Sequence, residues 1–260
     1  WIGGQITSMK VITELFMPSL VSMLFPLILY TFTLKGEFPK SEIDFRDEPL
    51  EPGAHLVFYL GIALFLFVPI FKAFTGMPPF MGMLISLAIM WLVTDIMHHR
   101  YEQRHHLRVP HILTKIDVSS ILFFLGILLS VNALESTGIL DGAAEWLNHN
   151  IGNEAIIATT IGIVSAIIDN VPLVAAAIGM YPLEIGGDGF FAQDGLFWQF
   201  LAYCAGTGGS ALIIGSAAGV AIMGLESIPF FWYLKRISFY AIVGYFCGAI
   251  TYIIQSNLIS

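Results

Sequence analysis

Charge is what this sequence has least of. Only 12 % of its 260 residues are Asp, Glu, Lys or Arg, against about 25 % in soluble domains. Hydrophobic residues reach 57 % and the mean hydropathy is +0.80, so a soluble domain, or two small ones, is excluded. Basic residues are scarcer than acidic ones. Eleven Lys and Arg against 19 Asp and Glu give a net charge of −8, which leaves no basic footprint for a nucleic acid. The two cysteines, Cys204 and Cys247, both fall inside apolar runs and exclude a disulfide framework. The chain opens on Trp1, without the basic, apolar and small-residue stretches of a leader, and is expected to be the later part of a longer protein.

What is present is a series of apolar runs. A bilayer core of about 30 Å takes about 20 helical residues. Runs of that order lie near 11–34, 55–75, 78–97, 118–134, 153–180, 198–224 and 237–257. The reading is an integral membrane protein of all-α class.

Lys and Arg mark cytoplasmic loops, whereas Asp and Glu count for little. Lys35, Lys40 and Arg46 place the first long loop inside, and Arg100, Arg104, Arg108 and Lys115 place the third inside, two crossings later. Glu135–Gly152 and Tyr181–Phe197 both lack Lys and Arg although the run 153–180 separates them. The conflict disappears if 153–180 is a re-entrant hairpin of two half-length arms. Asp169-Asn170-Val171-Pro172 supplies the break, since proline removes a backbone donor and restricts the residue before it. With that hairpin, Lys235 and Arg236 also fall inside, and only Lys10 and Lys72 of the basic residues do not.

Asp169 is the one carboxylate well inside a predicted membrane element. Burying it charged costs about 2.5 to 3.5 kcal/mol on insertion scales, which points to function. The competing reading is an N-cap for the helix containing Pro172, which Asn would serve without a charge. Ser165, one turn earlier, shares its face. Further on, Cys204-Ala205-Gly206-Thr207-Gly208-Gly209-Ser210 weakens a helix where Thr207 and Ser210 offer oxygens, as in an unwound segment lining a cavity. No Lys follows these glycines, so a phosphate loop is excluded. Gly215 and Gly219 fit close packing through small residues. His98, His99, His105, His106 and His111 share a solvated loop with Arg100, Arg104 and Arg108. Asp117 is placed as a helix N-cap and Glu135 as an interfacial carboxylate, each with proton access as the alternative role.

Ser165-Ala166-Ile167-Ile168-Asp169-Asn170-Val171-Pro172-Leu173-Val174-Ala175-Ala176, followed by Gly206-Thr207-Gly208-Gly209-Ser210-Ala211-Leu212-Ile213-Ile214-Gly215-Ser216, resembles the NhaD-type sodium/proton antiporters of the ion transporter superfamily. The likeness extends over most of 55–260, and Trp1-Ile2-Gly3-Gly4 looks like the tail of the matching motif in that family's first half. The resemblance implies an inverted repeat with a re-entrant helical hairpin and a broken transmembrane helix. Residues 1–34 would be the last helix of a missing first repeat and 35–54 a cytoplasmic loop. Residues 55–260 would be the second repeat: three helices, the hairpin 153–180, and two helices. It further implies that Asp169, Asn170 and Ser165 belong to the ion site, with Thr207 and Ser210 opposite, and that Asp117 supports transport.

The expected activity is exchange of Na⁺ or Li⁺ for protons, with Asp169 holding either a proton or the metal ion. No cofactor is expected. The expected partners are the lipid bilayer, the transported ions, the missing N-terminal repeat and a second copy in a homodimer. The expected location is a bacterial inner membrane, crossed several times. One rival is an anion carrier of the same superfamily, for a dicarboxylate or arsenite. Ile116–Leu234 contains no Lys or Arg, so an anion would depend on helix N-termini and bound Na⁺. A carboxylate at the tip, where dicarboxylate carriers place Ser-Asn-Thr, favours cation exchange. An intramembrane aspartyl protease needs two opposed aspartates sharing a proton, and the sequence offers Asp169 alone at depth.

Overall fold

The computed structural model describes Trp1 and residues 3–33, 51–114, 116, 118–184 and 189–259. Asp117, the basic residues Lys35, Lys40, Arg46 and Lys115, and Gly186-Gly187-Asp188 lie outside the described residues. Regular structure among the described residues is helical, apart from one isolated bridge between Glu184 and Ala192. Among the described residues, four helices are long and apolar enough to cross a membrane: Ser8–Thr33, Ala54–Thr75, Pro79–His98 and Ser238–Leu258. The chain divides into two compact units, one of Gly3–Lys35 with Phe123–Ser260 and the other of Gly36–Leu122.

The smaller unit is built on α2 (Ala54–Thr75) packed against α3 (Pro79–His98). Gly76, at φ 67°, ends α2, with its N–H on the Lys72 carbonyl, a conformation glycine adopts without a Cβ penalty. Pro79 then opens α3 where the missing N–H costs nothing. The short α4 (Val109–Leu113) follows, and Arg108 beside it pairs with Asp95 of α3 through Nε at 2.7 Å. The loop read as merely solvated is therefore tied back to its helix.

In the larger unit α1 (Ser8–Thr33) packs along α12 (Ser238–Ile259). Both Pro18 and Pro26 sit inside α1. Proline has no N–H for the carbonyl four residues back, and the Glu14 carbonyl orphaned by Pro18 instead accepts from Gln255 Nε2 of α12 at 3.1 Å. The same amide donates to Glu14 Oε2 at 3.0 Å, while Lys10 pairs with Oε1 at 3.2 Å. Gly244 and Gly248 bring the α12 backbone against α1. A Cβ at 244 would meet the Ser22 carbonyl and Pro26, and one at 248 the Pro18 carbonyl and the Tyr203 hydroxyl. Such small-residue contacts are how membrane helices approach closely.

Between Ser136 and Phe230 the elements are shorter. After α5 (Val118–Ser136) come α6 (Ile139–Asn150), α7 (Glu154–Val164), α8 (Asn170–Met180), α9 (Leu196–Gly208), α10 (Ala217–Leu225) and α11 (Phe230–Arg236). The sequence reading has no helix at α6 or α11. In α6, Leu140 and Ala144 are buried and Leu147 is partly so, a stripe at i, i+4 and i+7 on an element packed against α8. The core lies where α7 crosses α9. Ala158 and Cys204 are fully buried there, and a Cβ on Gly162 would meet the Cys204 carbonyl at 2.7 Å. Tyr245 of α12 donates to the Thr159 carbonyl at 2.8 Å, and Tyr203 to the Tyr245 carbonyl at 2.8 Å. Tyr245→Phe keeps the ring and loses one hydrogen bond, so it should cost about 0.5 to 1.5 kcal/mol, read as a lower unfolding temperature in detergent. An unchanged temperature would mean that this bond holds nothing.

Candidate functional site

Eleven residues of helix rise about 16 Å, half of what a crossing takes, so neither α7 nor α8 alone spans a bilayer. Asn153 caps α7, its side chain accepting from the Ile156 N–H at 3.0 Å. The far end of α8 returns to the same neighbourhood. Tyr181, closing α8, donates to Asn148 Oδ1 of α6 at 3.3 Å, and its ring lies tilted 4.9 Å from that of Phe197, at the start of α9. Burial, and behind it the Glu154 charge, raises the Tyr181 phenol above its ordinary value. The start of α7, the end of α8 and the start of α9 therefore sit together, and the chain goes out along α7 and comes back along α8.

The turn between the arms is Ser165–Asp169. The Val164 carbonyl closes it, accepting from the Ile167 and Ile168 N–H groups at 2.9 and 3.1 Å. Asp169 stands at the N-cap position of α8, half-buried, yet its side chain makes no capping hydrogen bond. Its Oδ1 is buried and has no hydrogen-bond partner. The capping role that competed for this residue is thus not performed. An unsatisfied buried acceptor costs about 1 to 3 kcal/mol, and in a native site it calls for a ligand or a proton to account for it. Asn170 opens α8 beside it, half-buried. Ser165 is fully buried, its hydroxyl donating to the Gly162 carbonyl at 2.6 Å with the Ala205 carbonyl of α9 at 3.5 Å.

The second break faces this turn. α9 ends at Gly208, passes through a 3₁₀ turn at Gly209–Ala211 and is extended at Leu212 before Ser216 caps α10, accepting from the Gly219 N–H at 3.1 Å. A Cβ on Gly208 would strike the Gly162 carbonyl and come 2.9 Å from Ser165 Oγ, and one on Gly215 would lie 2.6 Å from the Ala166 carbonyl. The glycines thus let two interrupted backbones touch. Gly215 packs as expected from its size, but against the hairpin turn, while Gly219 faces its own preceding turn at Ile213 and Ser216. Thr207 lies elsewhere on α9, and Ser210 in the 3₁₀ turn that follows it. The Thr207 hydroxyl donates to the Tyr203 carbonyl at 2.7 Å, and both residues line a cavity of about 430 Å³ with α1 and α12, in which Asp169, Asn170 and Ser165 take no part. The structure therefore brings Ser165 to α9, places Asp169 and Asn170 at the start of α8, and sets Thr207 and Ser210 on a separate cavity, Thr207 from another face of α9 and Ser210 from the turn after it.

Glu14 is a carboxylate the sequence reading passed over. Its side chain is 17 % exposed inside a candidate span. The signal was its i,i+4 pairing with Lys10 at the edge of an apolar run.

Residues 3–198 match the model of the family described as citrate transporter. The chain belongs to that family. Relatives similar to the chain over most of its length carry names that state another cargo. "Sodium/proton antiporter 1" of Arabidopsis thaliana is 49 % identical over 99 % of this chain and 44 % of its own length, and "Sodium/proton antiporter 2" of the same plant is 46 % identical over 99 % and 61 %. The "Na(+)/H(+) antiporter NhaD" of Vibrio cholerae is 26 % identical over 86 % of this chain and 49 % of its own. The likeness to NhaD-type antiporters read from two motifs thus extends over most of the chain, which spans about half the length of these curated relatives. No solved structure matches it. The chain is a multi-pass membrane protein of an all-helical transporter class.

Proposed function

We propose that the full-length protein exchanges Na⁺ or Li⁺ for protons, and that Asp169 is the group both compete for. The observation that carries this is the buried, unpartnered Oδ1 of Asp169 at a break between two half-length apolar helices. A carboxylate there holds a proton or a metal ion but not both, and that exclusion couples the two fluxes without ATP or any covalent step. Hard cations prefer oxygen ligands; the Asp169 carboxylate, the Asn170 amide oxygen, the Ser165 hydroxyl and carbonyls at the end of α7 are the oxygens we assign to the hairpin side. Thr207 and Ser210 are assigned to the path of the ion beyond it, and Asp117 to a supporting role in proton access. The hairpin enters and leaves the membrane on one face, with the first repeat, supplied by the rest of the protein, closing the site from the other side. A homodimer in the bilayer is part of the same proposal. So is the host membrane: an energised one, with a bacterial inner membrane as the sequence-based choice and a plant membrane as the alternative that the relatives' names raise.

The test is Na⁺- or Li⁺-dependent proton movement in everted vesicles carrying the full-length protein. Citrate uptake without a proton response to Na⁺ would install the anion-carrier reading instead. Two further measurements bear on the parts. In a background lacking Cys204 and Cys247, cysteines at Glu145 and Phe190 should label from the same, external side; labelling from opposite sides removes the hairpin. In the Thr207→Ala, Ser210→Ala variant each lost oxygen contact should weaken apparent Na⁺ affinity about fivefold, with excess Na⁺ restoring the rate. Unaltered affinity would leave these residues to packing.

A further inference from the structure

The connection after α3 is the most basic stretch of the chain: Arg100, Arg104 and Arg108 fall within nine residues. The structure separates their roles. Arg108 is engaged by Asp95, through Nε at 2.7 Å, and so ties the connection to the end of α3. Arg100 is exposed and Arg104 half-buried, and neither makes an ion pair among the described residues. The Arg104 guanidinium lies instead 4.3 Å from the centre of the Tyr101 ring, and Tyr101 is itself exposed. Turn bonds hold the group together, from the Tyr101 N–H to the His98 carbonyl at 3.1 Å and from the Arg104 N–H to the Tyr101 carbonyl at 3.0 Å. The carboxylates paired here among the described residues are Asp95, on Arg108, and Glu51, 3.8 Å from His106 Nε2.

Apolar side chains stand uncovered in the same connection. Ile112 of α4 is 49 % exposed and Ile116, just after it, 48 %. A segment that leaves the end of a membrane span lies at the membrane surface. Tyr, Arg and uncovered Ile together are the composition of a segment lying in the headgroup layer, with the ring at headgroup level and the apolar side chains below it. The basic residues mark this end as cytoplasmic, and the anionic lipids of that leaflet attract juxtamembrane arginines. Setting the topology would need the charges alone. It would need neither the uncovered isoleucines nor two arginines left without a carboxylate beside a third that has one.

We infer that Arg100 and Arg104, with Tyr101 between them, bind the phosphate of an anionic phospholipid in the cytoplasmic leaflet, and that Ile112 and Ile116 enter the acyl layer beside it. A guanidinium presents paired N–H donors that match phosphate oxygens, and the Arg108–Asp95 pair keeps the group at the end of α3. The inference is independent of which ion the protein carries.

Bimane attached to Ile112→Cys, in full-length protein lacking Cys204 and Cys247 and reconstituted in phosphatidylcholine, tests it by quenching with lipids brominated on their acyl chains. Brominated phosphatidylglycerol should quench at a mole fraction about 25-fold lower than brominated phosphatidylcholine, about fivefold for each arginine. Arg100→Gln and Arg104→Gln should each reduce that preference about fivefold, and about 1 M salt, which shortens the screening length to about 3 Å, should remove most of it. Where Ile112→Cys does not fold, Ile116→Cys replaces it. Equal quenching by the two lipids overturns the headgroup site, and quenching by neither places the connection in water and overturns the whole proposal. Loss of the preference on adding millimolar inorganic phosphate would assign the arginines to a soluble phosphate and overturn the lipid. An unchanged preference in the Arg100→Gln, Arg104→Gln double variant would leave the arginines to topology alone and overturn it as well.

Discussion

Asp169→Asn in the full-length protein is expected to give folded, membrane-inserted protein with no Na⁺-dependent proton movement above that of vesicles lacking it, at any Na⁺ concentration. The substitution keeps an oxygen and the side-chain volume and removes the exchangeable proton and the charge. Because Asp169 makes no capping bond and leaves Oδ1 unpartnered, the wild-type side chain pays for function in stability. The Asn variant should therefore unfold in detergent no earlier than the wild type, and Asp169→Glu should keep part of the rate. Antiport near the wild-type level in Asp169→Asn would move the exchange site off the hairpin and bring the anion-carrier reading forward.

The second large effect is on folding. Gly162 and Gly208 face each other where α7 crosses α9, and a Cβ on either meets backbone or Cys204. Gly162→Val should cost at least about 3 kcal/mol, since overpacking against backbone has no soft direction in which to relax, and should remove most of the monodisperse protein in detergent chromatography. Gly142→Ala in α6, where nothing lies within 4 Å of the added Cβ, is the comparison and should leave the yield as it was. Equal yields from the two would mean that the crossing is loose, and that Ser165 is not held against α9 by it.

Both breaks were legible because each violates its surroundings. A charge, an amide and a proline interrupt an apolar run at Asp169–Pro172, and three glycines interrupt another at Gly206–Gly209. The side of α9 that each residue takes was legible too, though not read: Ala205 and Gly208, three apart, share the face toward α7, while Thr207, two residues from Ala205, lies about 200° around the helix. What local pattern could not give is pairing at a distance. Glu14 stands near the start of an apolar run, and the amide that engages it comes from Gln255, 241 residues later. The α6 and α11 helices were passed over for another reason. They are 12 and 7 residues long, below the length a span search responds to, and α6 is helical through its contact with α8.

The bond between Glu14 and Gln255 also has a place in time. At about 5 to 20 residues per second of synthesis, roughly ten to fifty seconds separate the emergence of its two ends. Through that interval α1 sits in the bilayer with Ser19, Ser22 and the carbonyls freed by its prolines facing no α12, while the α7 to α9 crossing, local in sequence, is free to form. The order of synthesis thus leaves the larger unit free to assemble around its hairpin before α12 seals it along α1. Any slowing of the final helix's insertion prolongs the life of a half-built, hydroxyl-lined trough in the membrane.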